Sequence, residues 1–383
     1  MTTTEPTTTG PTPGPITGSG EPVDDAAVGA FVERLFEATV AAVEQLTIHV
    51  GVQLGLYDRL ADGRARSAAE LAAEAGIDRR YAREWLEQQA VAGFLQVASD
   101  GVDGPDPDRR TYTLPPAHAE VLTNRDSLAY LAPLARLGVG AAMAADAIVD
   151  AYRTGEGLPF GAFGEHVRAG VAAANRPHFL QLMGTEWLPA MPDVVARLQA
   201  DPPATVADVG CGVGWSTIAL ARAFPRIRVH GFDLDAASIE EARRAAEAEG
   251  VADRVTFEVR DAADAAPGAY DLVCMFEALH DTGRPADVLA ALRIMAGPSG
   301  TVFVMDERTE DTFTAPGSPT ERFLYAASTV HCLLVGRSDP HDHATGTVLR
   351  PSMLEALARQ AGFRATEVLP IEHESWRFYR LRP

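Results

Sequence analysis

The chain has 383 residues, enough for two domains with a large hydrophobic core. Its formal net charge of -20 disfavours a nucleic-acid partner for the chain as a whole, because such binding draws most of its affinity from phosphate neutralisation. The sequence contains no lysine, which excludes both a Schiff-base lysine and a phosphate-loop lysine.

The composition predicts a cytoplasmic protein without a membrane partner. No apolar run is long enough to cross a bilayer, and the first residues lack the basic start and apolar run of a secretory signal. Cys211, Cys274 and Cys332 are scattered, and their spacing indicates neither a disulfide framework nor a zinc cluster. We therefore expect reduced, buried thiols and no metal.

The N-terminal part of the chain predicts a disordered tail followed by long helices. Residues 1–23 are mostly Thr, Pro, Gly and Ser, with almost nothing apolar to bury. Between Phe31 and Val43 apolar side chains repeat every three or four positions, and residues 46–60 continue this helical pattern. The apolar face exceeds what one small domain can bury, so we expect a homodimer held by these helices.

Residues 24–125 predict a winged-helix domain. Residues 67–76 form a helix with a Ser N-cap, a Glu three positions later and a closing Gly, and residues 78–93 form a second helix. Two short strands at 94–97 and 111–114 make a hairpin, which completes the helix, turn, helix and wing.

A winged helix raises the alternative of DNA binding. Arg79, Arg80 and Arg83 lie on the second helix, where they would contact DNA. However, Glu84 and Glu87 share that helix, and acidic residues outnumber basic ones across the domain. We therefore expect no nucleic-acid partner.

Residues 201–383 open with a glycine-rich loop after an apolar strand. Residues 206–215 read VADVGCGVGW, with Asp208 near the strand end and a glycine at every second position from 210 to 214. A backbone without side chains at alternate positions lets a ligand lie directly against it. The nicotinamide and flavin fingerprint needs a glycine where this chain has Trp215, so a dinucleotide site is disfavoured.

Two further strands end in an acid. Asp233 closes the apolar strand at 229–235, and Asp261 closes the strand at 255–262. A carboxylate at such a strand end can accept both hydroxyls of a ribose, and we prefer Asp233 to Asp235 for this role. An acid after a strand can also be a helix N-cap, and this alternative stays open for each of them.

A fourth and a fifth strand lead to candidate catalytic residues. Residues 270–281 run from a strand into a loop that presents His280 and Asp281, and residues 300–307 form a strand that carries Asp306 near its end. A base with a pKa near 7 beside a hydroxyl raises the rate roughly a hundredfold or more. The alternative is that His280 caps the following helix or binds a backbone carbonyl.

An insertion at about 308–350 precedes a final helix at 351–363 and two last strands at 366–371 and 376–381. It contains the paired histidines of residues 339–343 (DPHDH), which could suggest a metal. Because no third ligand stands at a recognisable spacing, a solvated loop is the favoured interpretation.

The acid-x-Gly-x-Gly-x-Gly run resembles the first motif of the class I S-adenosylmethionine (SAM) methyltransferases. His280 with Asp281 and Asp306 is similar to the catalytic group of the plant-type small-molecule O-methyltransferases. From about residue 24 to the end, the chain looks like bacterial stand-alone methyltransferases with a winged-helix domain. The resemblance implies an α/β fold, in which a Rossmann-like domain with a mostly parallel seven-stranded sheet follows a mostly helical N-terminal domain.

Residues 126–200 read as apolar helices, among them 127–137 and 177–188. In the family that this chain resembles, such helices link the two domains and cap the active site, and the insertion supplies a lid. Candidates for lining the acceptor pocket are Phe160, Phe163, Phe179, Met183, Trp187, Tyr325 and His331. Aromatic residues at helical spacing also fit a plain core.

The resemblance implies SAM as cofactor and S-adenosyl-L-homocysteine as its product. His280 would take the proton from the acceptor hydroxyl beside Asp281, Asp306 would orient His280, and Asp261 would hold the adenine amino group. The cofactor ligands would be Asp208, Gly210, Gly212, Gly214, Asp233, Leu234, Asp261, Ala262 and Phe276.

We therefore expect a SAM-dependent enzyme that methylates a small-molecule acceptor, preferably a hydroxylated secondary metabolite at oxygen. Two alternatives stay open. An enzyme of the same fold could methylate carbon or nitrogen, because the same histidine could serve an enol or an amine. A non-catalytic SAM-responsive regulator could instead bind DNA through the winged helix.

Overall fold

A computed structural model describes residues 24–98, 106–261, 270–338 and 343–383. Contacts within the chain divide it into two units, residues 1–44 and 45–383. The predicted tail, residues 1–23, lies outside the described residues.

The first unit contains most of helix α1 (Asp25–Gln53), which continues into the second unit. Large apolar side chains of its first five turns are exposed, with relative exposures between 38% and 68%. They are Val28, Phe31, Val32, Leu35, Phe36, Val40 and Val43. The predicted helix is confirmed, and its apolar side chains between Val28 and Val43 are exposed together with the polar ones.

The second unit begins with the winged-helix domain. Its helices are α2 (Leu56–Leu60), α3 (Ala68–Ala75), α4 (Arg79–Val91) and α5 (Pro116–Thr123). Its strands are β1 (Arg66–Ser67), β2 (Gln96–Val97) and β3 (Thr111–Thr113), which form an antiparallel sheet in the order β1-β3-β2. Residues 99–105 of the predicted wing lie outside the described residues.

The helix boundaries in this domain follow their predicted capping residues. Oγ of Ser67 accepts a hydrogen bond from the Glu70 amide, and the Glu70 carboxylate accepts one from the Ser67 amide. Gly76 ends α3 in the left-handed conformation, and Asp78 caps α4. Both predicted helices are confirmed. Strand β1 was not predicted, because its two residues are extended only through their pairing with β3.

Four helices connect the winged helix to the large sheet: α6 (Leu134–Met143), α7 (Ala145–Thr154), α8 (Gly164–Leu182) and α9 (Pro192–Gln199). The predicted helix at 127–137 is wrong in its first half, where the chain makes turns. Pro133 disfavours helical backbone at the residue before it, so α6 begins only at Leu134. The predicted helix at 177–188 is the end of α8 continued by a π-helical turn, Met183–Trp187.

A seven-stranded sheet forms the centre of the remaining chain. Its strands are β4 (Thr205–Val209), β5 (Arg228–Asp233), β6 (Val255–Val259), β7 (Leu272–Phe276), β8 (Thr301–Glu307), β9 (Ala365–Val368) and β10 (Trp376–Arg382). Their order is β6-β5-β4-β7-β8-β10-β9, and β10 is antiparallel to both of its neighbours. All seven strands were predicted, and the expected fold class is confirmed.

The helices around this sheet are α10 (Trp215–Ala223), α11 (Ala236–Ala248), α12 (Pro285–Ala296), α13 (Pro319–Ala327), α14 (Leu333–Gly336) and α15 (Pro351–Gln360). Successive strand residues face opposite sides, so Val206 belongs to the core that contains Trp187 on one face and Ala207 to the core that contains Leu289 on the other. Within the described residues, no helix combines the length and apolarity of a membrane span.

The strand order places a crevice at the carboxyl end of β4. Strand β4 pairs with β5 on one side and with β7 on the other. The chain therefore runs from β4 to one side of the sheet, through β5 and β6, and then crosses to β7 on the other side of β4. Ligands of open α/β sheets bind at such a switch point. The glycine loop follows β4, and the predicted catalytic loop follows β7.

Candidate active site

The loop after β4 has the backbone that its glycines predict. Gly210, Gly212 and Gly214 have φ angles of 71°, 52° and 84°, the left-handed region that side chains disfavour. A Cβ atom on Gly210 would lie 2.6 Å from Cβ of Ala278, whereas one on Gly212 would meet nothing within 4 Å. The loop therefore packs tightly on the catalytic side and is open at its middle, where a ligand can approach the backbone.

Asp208 is buried at the end of β4, with one oxygen satisfied and one free. Its Oδ2 accepts hydrogen bonds of 2.6 Å from the hydroxyls of Ser216 and Thr217. Its Oδ1 has no hydrogen-bond partner among the described residues, and burial raises the pKa of this carboxyl group to about 6. An unpartnered buried acceptor beside an open glycine loop suits a ligand that carries a hydrogen-bond donor or a positive charge.

Asp233 ends β5 and contacts the same loop. Its Oδ2 accepts a 2.8 Å hydrogen bond from the Gly212 amide, and its Oδ1 accepts one from the Asp235 amide. Burial raises the pKa of Asp233. Each carboxylate oxygen has a second lone pair, so Asp233 can still accept from ligand hydroxyls. Leu234 beside it is exposed, whereas Asp235 caps α11.

The remaining predicted cofactor residues lie at neighbouring strand ends. Asp261 follows β6, and the Arg260 amide donates to the Asp233 carbonyl, which brings the ends of β5 and β6 together. Phe276 closes β7 and is buried against Phe303. Ala262 lies outside the described residues. The open loop and the acids on both sides fit the adenosyl and amino acid ends of SAM.

His280 lies on a single helical turn, Leu279–Asp281, directly after β7. Its Nδ1 is 2.7 Å from Oδ1 of Asp306, and both residues are almost completely buried. The carboxyl ends of the parallel strands β7 and β8 meet at one edge, which brings these residues together. The predicted pairing of His280 with Asp306 is present in the structure.

The other ring nitrogen of His280 faces Asp281, and Cys332 lies nearby. Nε2 is 3.4 Å from Oδ1 of Asp281, and that oxygen has no hydrogen-bond partner within the described ranges. One side-chain atom each of His280, Asp281 and Cys332 lies within 4.8 Å of the others. Because Nδ1 donates to Asp306, Nε2 is the atom that can accept a proton from a ligand.

The charge state of His280 differs from the sequence expectation of a base near pKa 7. Burial lowers the pKa of His280, but the carboxylates of Asp306 and Asp281 outweigh this effect and hold the pKa well above its ordinary value. The two carboxylates therefore favour the protonated ring in the ligand-free protein. A ligand that lowers this pKa favours the neutral ring, which can accept a proton.

Glu277 was not among the predicted site residues. It follows β7 directly and has a φ of 48°, the one positive φ among described residues other than glycine. Its carboxylate accepts hydrogen bonds from the side chains of Asn175 and Trp376. Burial raises the pKa of Glu277. Burial also raises the pKa of Glu307, and the negative charge of nearby Glu277 acts in the same direction. An acid directly after an apolar strand was the signal used at Asp233 and would have found Glu277 as well.

The predicted pocket residues fall into two groups. In the first group, Phe160 and Phe163 contact the ring of His331, with centroid distances of 5.7 and 4.5 Å. Tyr325 lies on α13, is exposed and contacts Phe313. The second group belongs to the core on one face of the sheet: Phe179, Met183 and Trp187. Met183 and Trp187 are completely buried there. Of the paired-histidine loop, residues 339–342 lie outside the described residues, so its interpretation stays a prediction.

Two family models match the chain. One describes a methyltransferase domain and matches residues 207–302; the other describes an Rv2258c-like winged HTH domain and matches residues 41–124. The first covers the glycine loop, the strand-end acids and His280.

Curated relatives and solved structures agree with these models. The ubiquinone biosynthesis O-methyltransferase of Xanthomonas campestris pv. campestris (strain B100) is 30% identical over 191 residues, 49% of this chain and 74% of that protein. That of Bordetella bronchiseptica is 33% identical over 170 residues, which are 44% of this chain and 65% of that protein. Thus the match spans just under two thirds of the Bordetella protein.

Two solved structures share the fold over nearly the whole chain. Mitomycin 7-O-methyltransferase superimposes with a TM-score of 0.67 at 23% identity. The match covers 94% of this chain and 99% of the mitomycin enzyme's chain. Human N-acetylserotonin methyltransferase in complex with SAM superimposes with a TM-score of 0.66 at 16% identity. The match covers 96% of this chain and 99% of the human protein's chain. At these identities the structures show the fold alone. Together with the family models and the Xanthomonas relative, the site geometry leads to one conclusion: the chain belongs to the SAM-dependent methyltransferase family, with a winged-helix domain before the methyltransferase domain.

Proposed function

We propose that the protein transfers a methyl group from SAM to an oxygen of a small hydroxylated acceptor, with His280 as the general base. The observation that carries this proposal is the 2.7 Å contact between Nδ1 of His280 and Oδ1 of Asp306, which leaves Nε2 for the acceptor. The curated relatives described above are O-methyltransferases, which supports oxygen as the methylated atom.

We assign cofactor binding to the open face of the glycine loop and the strand-end acids. The oxygen of Asp208 that lacks a partner and the remaining lone pairs of Asp233 are acceptors for donor groups of the ligand. We keep Asp261, Leu234, Ala262 and Phe276 as further contacts. Bound there, SAM supplies a methyl group on a positively charged sulfonium, and S-adenosyl-L-homocysteine is the product.

His280 would accept the proton of the acceptor hydroxyl at Nε2. Asp306 fixes the tautomer by accepting from Nδ1, and it stabilises the imidazolium that forms. Asp281 lies beside Nε2, where it supports the same positive charge. A second positive charge in the pocket disfavours the protonated ring, so a cationic ligand lowers the pKa of His280 toward the range in which it acts as a base.

We place the acceptor against Phe160, Phe163, Tyr325 and His331. Three of these four residues form one aromatic cluster close to Cys332 and hence to His280. Phe179, Met183 and Trp187 would act through packing behind the site, because the last two are completely buried.

The experiment is a screen of hydroxylated aromatic compounds with purified full-length protein, SAM and detection of S-adenosyl-L-homocysteine. NMR spectroscopy of the product identifies the methylated atom. We expect an O-methyl product whose formation is lost in His280→Ala and retained in His118→Ala, where Nδ1 of His118 lies 2.9 Å from the Phe94 carbonyl oxygen in the winged helix. A methyl group on carbon or nitrogen would instead support the alternative reaction.

We propose that the protein is a cytoplasmic homodimer whose acceptor is a secondary metabolite. The exposed apolar face of α1 supports a second copy as partner, because a face of this size is rarely left in water. The three cysteines are free and buried, which supports a reducing compartment.

The arginines of the winged helix give no support to the DNA-binding alternative. Arg79 and Arg83 both pair with Asp108, and Arg80 pairs with Glu84 on its own helix. Acidic side chains beside these guanidinium groups offset part of their positive charge, which weakens their attraction for phosphate. We therefore propose that the domain has no nucleic-acid partner.

A further inference from the structure

His331 lies on a π-helical turn, Ser328–Cys332, between α13 and α14. Such turns are rare and occur frequently at functional sites. The turn is held from two sides: the Thr347 amide donates to Oγ of Ser328, and the Tyr152 hydroxyl donates to the Thr329 carbonyl over 2.8 Å. The position of His331 is therefore fixed by the surrounding chain.

The ring of His331 is enclosed by aromatic side chains but lacks one polar contact. Phe163 packs edge-on at 4.5 Å and Phe160 at 5.7 Å. Nδ1 is 3.4 Å from Sγ of Cys332, whereas Nε2 is buried and has no hydrogen-bond partner in the described part of the chain. Burial lowers the pKa of His331, so the ring is neutral near pH 7. A buried ring nitrogen without a partner costs free energy unless a ligand completes it.

Cys332 connects this ring to the catalytic histidine. Its thiol contacts Nδ1 of His331, and a hydrogen bond between the thiol and His280 contributes to the raised pKa of His280. The two imidazole rings thus contact the same sulfur atom. A ligand that presents its hydroxyl to Nε2 of His280 has His331 as its neighbour.

We propose that Nε2 of His331 forms a hydrogen bond with a second oxygen of the acceptor, so that the enzyme selects aromatic acceptors with a hydroxyl or carbonyl oxygen near the hydroxyl to be methylated. This inference rests on the proposed function. If the Cys332 thiol donates a hydrogen bond to Nδ1 of His331, the proton of the neutral ring lies on Nε2. Nε2 can then donate to a hydroxyl oxygen or to a carbonyl oxygen of the acceptor. In the other tautomer Nε2 accepts, which suits a second hydroxyl. Phe160 and Phe163 provide flat apolar surfaces for an aromatic ring.

The test compares two probes that differ by one hydroxyl, 1,2-dihydroxyanthraquinone and 2-hydroxyanthraquinone. Their affinities for full-length protein saturated with S-adenosyl-L-homocysteine are measured by calorimetry, which needs no turnover. We expect the parent to bind the dihydroxy compound at least about 10-fold more tightly, as a lost hydrogen bond to a buried group predicts. His331→Phe should remove this preference by weakening only the dihydroxy compound.

Two further variants separate recognition from structure. His331→Gln keeps a hydrogen-bonding group and should retain part of the preference, whereas Tyr152→Phe loosens the same π turn without changing the ring and should retain all of it. Equal affinities of the parent for both probes would overturn the proposal. So would a His331→Phe variant that keeps the parental ratio of affinities, or one that loses affinity equally for both probes. A protein that binds the probes with the expected preference but methylates no hydroxylated compound would contradict the proposed function instead.

Discussion

Gly210 faces Ala278 so closely that a methyl group on the glycine would lie 2.6 Å from the alanine Cβ. This contact joins the loop assigned to the cofactor to the turn that carries His280. The two halves of the site are therefore positioned by direct packing, and a change in the first loop is expected to affect both binding and chemistry.

A matched pair of glycine substitutions tests this contact. Gly210→Ala and Gly212→Ala both place a side chain on left-handed backbone, at a cost of roughly 1–2 kcal/mol of unfolding free energy. Only Gly210→Ala adds a steric clash, so it should lower stability in denaturant unfolding by more than Gly212→Ala does. Gly212→Ala should chiefly weaken SAM binding in calorimetry. Equal losses of stability in the two variants would contradict the tight packing at Ala278.

The ribose role of Asp233 predicts a selective loss of cofactor affinity. Asp233→Ala should weaken SAM binding by about 2 kcal/mol, because two hydroxyls lose a charge-assisted acceptor and the Gly212 amide loses its partner. Asp235→Asn serves as control, since Asp235 caps α11 and is not assigned to the ligand. If Asp233→Ala bound SAM as tightly as the parent in calorimetry, the assignment would be wrong.

Removal of the His280 ring should separate chemistry from cofactor binding. His280→Ala should lower turnover roughly a hundredfold or more, while its affinity for SAM stays nearly unchanged. Asp306→Asn should lower turnover by a smaller factor through loss of ring orientation. The measurements are single-turnover methyl transfer and calorimetry. Near-parental turnover in His280→Ala would show that the ring is structural.

The titration of His280 provides an independent check on its surroundings. Asp306 and Asp281 raise the pKa of His280, so its NMR titration midpoint in the free protein should lie above 6.5. Asp306→Asn removes one negative charge and should move this midpoint to lower pH. Activity should rise with pH through the midpoint of the SAM-bound protein, which lies below that of the free protein, since only the neutral ring accepts a proton. An unchanged midpoint in Asp306→Asn would contradict the charge interaction.

The exposed face of α1 predicts the oligomeric state. The parent should be a dimer in light scattering, and Leu35→Glu should shift it toward monomer, because a charge in an apolar interface is costly. Glu37→Gln on the same helix is the control and should remain dimeric. A monomeric parent at micromolar concentration would refute the homodimer.

The sequence predicted those parts of the fold that local chemistry determines. Strands β4, β7 and β8 are short, mostly apolar runs, and Ser67, Glu70 and Gly76 mark the ends of α3 in the sequence itself. Strand β1 was missed because only its pairing with Tyr112 makes it extended. The apolar pattern places the start of α6 too early, because Pro133 disfavours helical backbone at the residue before it.

The candidate site was predictable in its residues but not in its electrostatics. Strand ends and glycine spacing pointed to Asp208, Asp233 and His280, and the structure brings Asp306 to the ring. The raised pKa of His280 and the link from Cys332 to His331 depend on side chains from separate elements. Their distances follow from tertiary packing, on which periodicity and spacing carry no information.

The antiparallel strand β10 has a consequence for how the site is assembled during synthesis. Trp376 pairs with Glu307 of β8, and its indole donates to Glu277 beside the catalytic turn. The ribosome makes β10 only after the insertion and α15, long after the glycine loop and His280. The nascent chain can therefore form its cofactor loop while Glu277 still lacks one of its two donors. The corner of the site beside His280 is thus completed by a contact between residues that lie 99 positions apart in the chain.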